Sequence, residues 1–299
     1  MIRLKGIAMI ILGSILWGGT GPMMEWIMGQ ADLSVTFLLQ VRLILSGTLL
    51  LVLLLLGKRD TFAVWRSRRS WVPILIFSIV GVLGLQYSFL SAIHESNSVV
   101  ATLFQFSAPI LVALYVSLKK KEWLPGHQII GILGTIVGLF LLLTNGSLDN
   151  LLVSSKAIGF GIGLGLTFAF YTLYPTRLMK EWGIMVILGW GMLIGGLVVG
   201  VTVQAWNSDE WRLLVQPDVA GMTLLMVLFG TAAYYLFLSS LNYISPVETS
   251  ILSSVEPLSV MVVSVIWFGT TLASLQLVGV LLMLIFVMWL SIGGRSNNL

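Results

Sequence analysis

Cysteine is absent from this chain of 299 residues, and histidine occurs only twice. A disulfide framework and a thiolate metal site are therefore excluded. Charge is scarce too: Asp, Glu, Lys and Arg make up 9% of the chain, against about 25% in ordinary soluble domains. Several chemical signatures are also missing. There is no G-x-x-x-x-G-K-[ST] loop for ATP, no H-E-x-x-H and no G-x-S-x-G. An enzyme is not expected, since no nucleophile, base and orienting group converge in the pattern. No metal and no cofactor is expected either.

Long apolar runs fill the space left by these absences. Hydrophobic residues reach 58% of the chain, which excludes disorder. A bilayer core is about 30 Å thick, so a spanning helix needs about 20 mostly apolar residues. Ten such runs lie near 6–28, 33–57, 71–93, 98–118, 126–144, 157–176, 184–205, 218–241, 247–268 and 273–292. The longest gaps, Gly57–Ser70 and Asn207–Pro217, leave no room for a soluble domain. Met1–Lys5 precede the first run, but no A-x-A-like site closes it. That run is expected to stay as a permanent helix.

The net charge of +4 is not a nucleic-acid signal, because it sits in short loops. With the N-terminus placed inside the cell, inside segments hold Lys58, Arg59, Arg66, Arg68, Arg69, Lys119, Lys120, Lys121, Arg177, Lys180 and Arg295. Outside loops hold only Lys156 and Arg212. The positive-inside rule then puts both termini in the cytoplasm. Trp26, Trp65, Trp71, Trp123, Trp182, Trp206 and Trp211 lie near span ends, as interfacial anchors do.

The chain also matches itself. At an offset of 148, residues Gln86–Leu133 lie on Tyr234–Leu281 without a gap. Pro109 meets Pro257, Gln128 meets Gln276 and Gly131 meets Gly279. Residues 1–149 and 150–299 are thus expected to be two five-helix repeats within one membrane unit. Five is odd, so the second copy enters the membrane from the other side. Inverted repeats of this kind mark secondary transporters, with the site near the midplane between the halves. The expected fold is an all-α polytopic membrane protein of ten helices in two inverted repeats.

Candidate site residues follow from charge at depth. Charges inside spans are costly and point to function. Glu256 lies roughly 13 Å into the ninth run, and Arg42 roughly 12 Å into the second from the other side, at 1.5 Å per residue. Glu256 is read as the contact for a substrate ammonium or a proton. Arg42 is its partner or an anion site, and a structural ion pair between them is the alternative. Glu248 opens the ninth run and is read as a helix cap, and a lone His94 as a solvated residue. Polar and aromatic residues cluster in the repeat-related stretches, where Gln86, Tyr87, Thr102 and Gln105 answer to Tyr234, Tyr235, Ser250 and Ser253. From these stretches Tyr87, Thr102, Gln105, Tyr235 and Ser253 join the candidates, with Tyr171 and Trp17. Gly18, Gly19 and Pro22 are expected to interrupt or kink the first helix, and Pro109 and Pro257 to bend the fourth and ninth. Gly134/Gly138, Gly159/Gly163, Gly161/Gly165, Gly191/Gly195 and Gly196/Gly200 are small-xxx-small pairs, suited to close helix contacts.

These residues together resemble the EamA type of the drug/metabolite transporter superfamily, over nearly the whole chain. The likeness rests on Leu16-Trp17-Gly18, Arg42 with Ser46-Gly47, Pro109, Glu122 after Lys119–Lys121, and Glu256-Pro257. Two departures stand out. Gly269-Thr270 replaces the Gly-Glu usual in the second repeat, and Thr167–Tyr171 lacks the frequent Trp-Ala. The resemblance implies transport of small metabolites, often amino acids or nucleobase-like compounds, by a proton-coupled or facilitative route.

The combined reading is a secondary transporter of the inner membrane that moves a small polar or amphipathic metabolite, such as an amino acid, by alternating access. Export is the preferred direction. Its partners are the small molecule, the lipid bilayer and, in a coupled mechanism, protons. Nucleic acid is not a partner, and the chain acts as a monomer or homodimer. The alternative is a non-transporting sensor or assembly factor that retains a transporter fold.

Overall fold

The computed structural model describes residues 2–147, 152–240, 242–244, 249, 252–253 and 255–293. Helix α1 (Ile2–Ala31) leads into α2 (Val35–Leu56) and α3 (Arg68–Glu95), whose middle at Phe77–Leu83 is wound as π-helix. The fourth apolar run is split into α4 (Ser98–Gln105) and α5 (Ala108–Lys120). Then come α6 (Gly126–Thr144), α7 (Ser155–Leu173) and α8 (Ile184–Thr202). The chain continues with α9 (Pro217–Ser240), α10 (Val255–Phe268) and α11 (Ser274–Gly293). Among the described residues, eight helical stretches are long and apolar enough to cross a membrane, and α10 and α11 add two shorter apolar helices. The chain is an all-α polytopic membrane protein. Glu248, Ser250 and Arg295 lie outside the described residues.

The helix ends are written locally in the sequence. Ser34, Asn97 and Ser154 turn their side chains onto the backbone N–H groups of Phe37, Val100 and Ala157, capping α2, α4 and α7. Lys121 and Asn145 adopt left-handed φ values of 55° and 50° and stop α5 and α6. Large exposed side chains such as Leu12, Leu53, Val72, Leu197 and Ile266 cover the perimeter. Buried polar groups, including Ser14, Thr20, Gln40, Arg42, Gln86 and Glu256, face inward. That inside-out pattern is what a lipid solvent selects.

Helices pack in a specific set of pairs: α1 with α9, α2 with α8, α3 with α7, α4 with α10, and α6 with α11. Exchanging spans one to five for spans six to ten maps this set onto itself. Direction can be read from close approaches. Along α2, Gly47 faces Leu193 and Gly196 faces Ile44, so α2 and α8 are antiparallel. Gly134 meets Phe286 and Gly138 meets Gly279, so α6 and α11 are antiparallel as well. Ser98 meets Ser264 while Gln105 meets Glu256, which makes α4 antiparallel to α10. Spans two and seven, four and nine, and five and ten thus run oppositely, as inverted repeats require.

Two ends of the bundle follow. The near end holds the start of α1, and there Trp190 donates to the Thr61 carbonyl at 2.8 Å and Trp182 to Ser70 Oγ at 3.1 Å. At the far end, Glu210 accepts from Ser34 N and Ser34 Oγ at 2.7 and 2.9 Å, and Lys156 pairs with Glu95 at 3.8 Å.

Most of the expected glycine contacts are formed. A Cβ at Gly138 would lie 2.7 Å from the Gly279 carbonyl, and one at Gly279 would lie 2.6 Å from the Gly138 carbonyl. Only glycine permits two backbones that close. Gly159 is the exception, with nothing within 4 Å. The expected break in α1 is not formed. The helix continues through Gly18, Gly19 and Pro22. It is flanked by α9 and α10, and Thr20 Oγ1 donates to the Trp17 carbonyl at 2.7 Å. Packed neighbours and hydroxyl bonds let a membrane helix carry a proline without breaking. Pro109 behaves differently. It is the second residue of α5, directly after the interruption at Phe106–Ser107. Pro257 is likewise near the start of α10.

Candidate functional site

A cavity of about 480 Å³, its open mouth included, lies between the two halves. The lining residues recur every three or four positions, so each helix turns one stripe inward. α1 gives Trp17, Thr20 and Gly21, α2 gives Arg42, and α3 gives Leu85, Gln86 and Phe89. α4 gives Thr102 and Gln105, α7 gives Phe168 and Tyr171, α9 gives Tyr234, and α10 gives Glu256 and Val260.

Arg42 and Glu256 both line this space and are 6% and 8% exposed. They are not paired with each other. Arg42 Nη1 donates to Gln86 Oε1 at 2.8 Å and to Met24 Sδ at 3.1 Å. Glu256 Oε1 accepts one long bond, 3.5 Å, from Gln105 Nε2. Among the described residues, Arg42 Nη2 and Glu256 Oε2 carry no bonded partner. An isolated buried charge is costly, and the bonded partners of these two are neutral: an amide and a thioether for Arg42, an amide for Glu256. The cavity therefore carries a guanidinium from the first half and a carboxyl group from the second, with hydrogen-bonding capacity to spare. Thr102 Oγ1 is buried without a partner and lines the same space.

The remaining wall is aromatic. Trp17 packs on Tyr234 with ring centroids 4.4 Å apart and meets Phe237 edge-on at 5.9 Å. Tyr171 and Tyr234 both line the cavity, and Tyr234 lies within electrostatic reach of both Arg42 and Glu256. Gly18 supports Glu256 from behind. A Cβ there would lie 2.7 Å from the Glu256 carbonyl oxygen.

Six of the nine residues expected to touch the site line the cavity: Trp17, Arg42, Thr102, Gln105, Tyr171 and Glu256. Tyr87 and Tyr235 do not. They are 40% and 59% exposed, and Tyr87 meets Phe160 edge-on at 6.0 Å. Ser253 is half-buried outside the lining, with its carbonyl accepting the Glu256 N–H at 2.9 Å. Gly19 faces Phe229 instead. The alternative of a structural ion pair between Arg42 and Glu256 is not formed among the described residues. Gln86 and Tyr234 take the places given to Tyr87 and Tyr235. The signal for them was present, because they occupy equivalent positions one residue earlier in the self-match.

Comparison with known proteins fits this geometry. The family profile described as the EamA-like transporter family matches residues 4–144 and 155–292. The chain belongs to the EamA-like transporter family. It is a membrane transporter, and the family profile falls on it as two matches, one for each half. Three relatives show the range of the family. The uncharacterized inner membrane transporter YicL of Salmonella typhimurium is 31% identical, over 98% of this chain and 97% of its own. The uncharacterized transporter YwfM of Bacillus subtilis is 26% identical, over 97% and 94%. The threonine/homoserine exporter RhtA of Escherichia coli K12 is 27% identical, over 77% and 73%. A solved crystal structure superposes with a TM-score of 0.60 at 15% identity and covers 99% of both chains. That likeness shows the fold alone.

Proposed function

We propose that this transporter carries a small polar or amphipathic metabolite across the inner membrane by alternating access, and that an α-amino acid is the class that fits best. The carrying observation is the cavity with two poles, a guanidinium and a carboxyl group that do not pair with each other. Arg42 would take a carboxylate, because its planar guanidinium offers two parallel donors. Glu256 would take the ammonium and is the group through which a proton would exchange. Thr102 Oγ1 and the Tyr171–Tyr234 pair would supply hydrogen bonds, and Trp17 an apolar face for the side chain. The likeness to RhtA, a threonine/homoserine exporter, supports this class and supports export as the direction. The antiparallel run of equivalent helices supports two inverted repeats, one per half. The near end carries Lys58, Arg59, Arg66, Lys119, Lys121, Arg177 and Lys180 in its loops, which supports a cytoplasmic near end and cytoplasmic termini.

The test is a thermal-shift screen of purified protein against amino acids, amines and organic acids, followed by counterflow in proteoliposomes with and without a pH gradient. A ligand at about 100 times its Kd stabilises the folded state by about 2.7 kcal/mol. A zwitterion should give the largest shift and drive counterflow, and Glu256→Gln should abolish both while remaining folded. Wild-type counterflow in a well-folded Glu256→Gln protein would remove Glu256 from the site.

A further inference from the structure

We infer that Glu25, Ser98 and Ser264 form a latch that closes the far end, and that the half-helix α4 links this latch to the cavity. The inference rests on the preceding reading only in taking the far end as the external face.

Three helices converge at the latch. Glu25 of α1 accepts the backbone N–H of Ser98 at 2.8 Å. Ser98 is the first residue of α4, so its N–H has no partner within the helix. A carboxylate there also complements the positive end of the helix dipole, which makes the bond a strong one. The Ser98 side chain then meets Ser264 of α10, with the two Oγ atoms 3.1 Å apart and both residues almost fully buried. Trp26 and Trp267 stack beside them, with centroids 6.5 Å apart. The cavity lies one turn away. Gly21 lines it, and a Cβ at Gly21 would lie 3.2 Å from Ser98 Cβ.

The connection to the cavity is a matter of helix register. Ser98, Thr102 and Gln105 sit at i, i+4 and i+7, on one face of α4. Glu256, Val260 and Ser264, at i, i+4 and i+8, likewise share one face of α10. The antiparallel helices are therefore joined by two rungs, Gln105 to Glu256 at the cavity and Ser98 to Ser264 at the far end. The first rung is the long one, 3.5 Å against 3.1 Å. A ligand that engages Glu256 replaces the Gln105 contact and frees α4 from α10 at that level. The interruption at Phe106–Ser107 lets α4 tilt without dragging α5, so the second rung feels the change. The latch has no copy in the self-matching stretch. Ser98 and Ser264 align there with Pro246 and Val116, neither of which has a hydroxyl. The near end must close by other means.

The absence of native cysteine makes the test clean. Phe89→Cys places one reporter thiol in the cavity wall. Its labelling by a membrane-impermeant thiol reagent is measured from each face of the membrane, in right-side-out and inverted vesicles. Adding Glu25→Gln should raise far-face labelling several-fold and leave near-face labelling no faster. Ser264→Ala should do the same more weakly, and stands in if Glu25→Gln fails to fold. Oxidising a Ser98→Cys/Ser264→Cys pair, whose closure is confirmed by mass spectrometry, should abolish far-face labelling and keep near-face labelling. Unchanged far-face labelling in both single variants, or far-face labelling that survives the closed disulfide, would overturn the latch. No substrate is needed, so such a failure leaves the transport reading standing. A reporter reachable from neither face in any variant would overturn both.

Discussion

The two halves of this transporter share a scaffold and differ in chemistry. Within the self-matching stretch, Pro109 answers to Pro257 and Gly131 to Gly279, residues that set backbone paths. The cavity groups do not match. Gln86, which accepts the Arg42 hydrogen bond, answers to Tyr234, which packs on Trp17. Gln105 answers to Ser253, and Glu256 answers to Ala108. If the halves are repeats, as proposed, repetition has kept residues that set backbone paths and let the cavity groups diverge. A symmetric cavity would offer a ligand two equal orientations. Here Arg42 comes from the first half and Glu256 from the second, so under the proposed reading a zwitterion would have a single orientation that satisfies both groups.

The sharpest way to break that asymmetry is to remove one pole at a time. Arg42→Gln should lose the response to amino acids and to simple carboxylates but keep a response to amines. Glu256→Gln should show the reverse, keeping carboxylates. Each loss should exceed tenfold in apparent affinity, since a charge-assisted hydrogen bond contributes about 1.5–3 kcal/mol. The double variant should bind a zwitterion no worse than about the weaker single variant, because the poles are coupled through the ligand. Thermal shifts against the three ligand classes measure this. Loss of all three classes in both variants would mean that the poles hold the cavity together rather than read a ligand.

A smaller effect separates residues that look alike in the sequence. Gly138 and Gly159 both belong to small-xxx-small pairs. A side chain at Gly138 would collide with the backbone of α11, whereas one at Gly159 meets open space. Gly138→Leu should destabilise the α6–α11 contact by about 1–3 kcal/mol, the range for overpacking. Gly159→Leu should stay near zero. Unfolding in detergent, followed by loss of monodispersity, compares them directly.

This contrast marks where the sequence was readable. The apolar runs were legible because the bilayer imposes one length on every span, and nine of the ten expected runs match helices at both ends to within a few residues. The two charges were legible because lipid penalises any charge without a reason. Which glycine touches a neighbour depends on how each helix is rotated, and a nearly uniform apolar helix carries little rotational signal. The first helix misled for a related reason. Gly18, Gly19 and Pro22 carry breaking potential, but α1, packed against α9 and α10, continues through them as one helix, and nothing local records those neighbours.

Rotation also decides the smallest prediction. The self-match aligned Gln86-Tyr87 with Tyr234-Tyr235 and gave no way to choose within each pair. Consecutive residues on a helix point about 100° apart, at 3.6 residues per turn, so the two members of each pair meet different surroundings. Gln86 lies one turn before Phe89, and both line it, while Tyr87 and Tyr235 face outward. Tyr234→Phe should lower ligand affinity by about two- to tenfold, since it deletes one neutral hydrogen bond, a contribution of about 0.5–1.5 kcal/mol. Tyr87→Phe and Tyr235→Phe delete hydroxyls outside the cavity, and each should stay within about twofold of wild type. The three apparent affinities, measured by thermal shift with one amino acid, decide it. Equal losses in all three would mean that the ligand-bound state rotates α3 and α9 by a residue, and that the asymmetry between the halves belongs to one state of the transport cycle only.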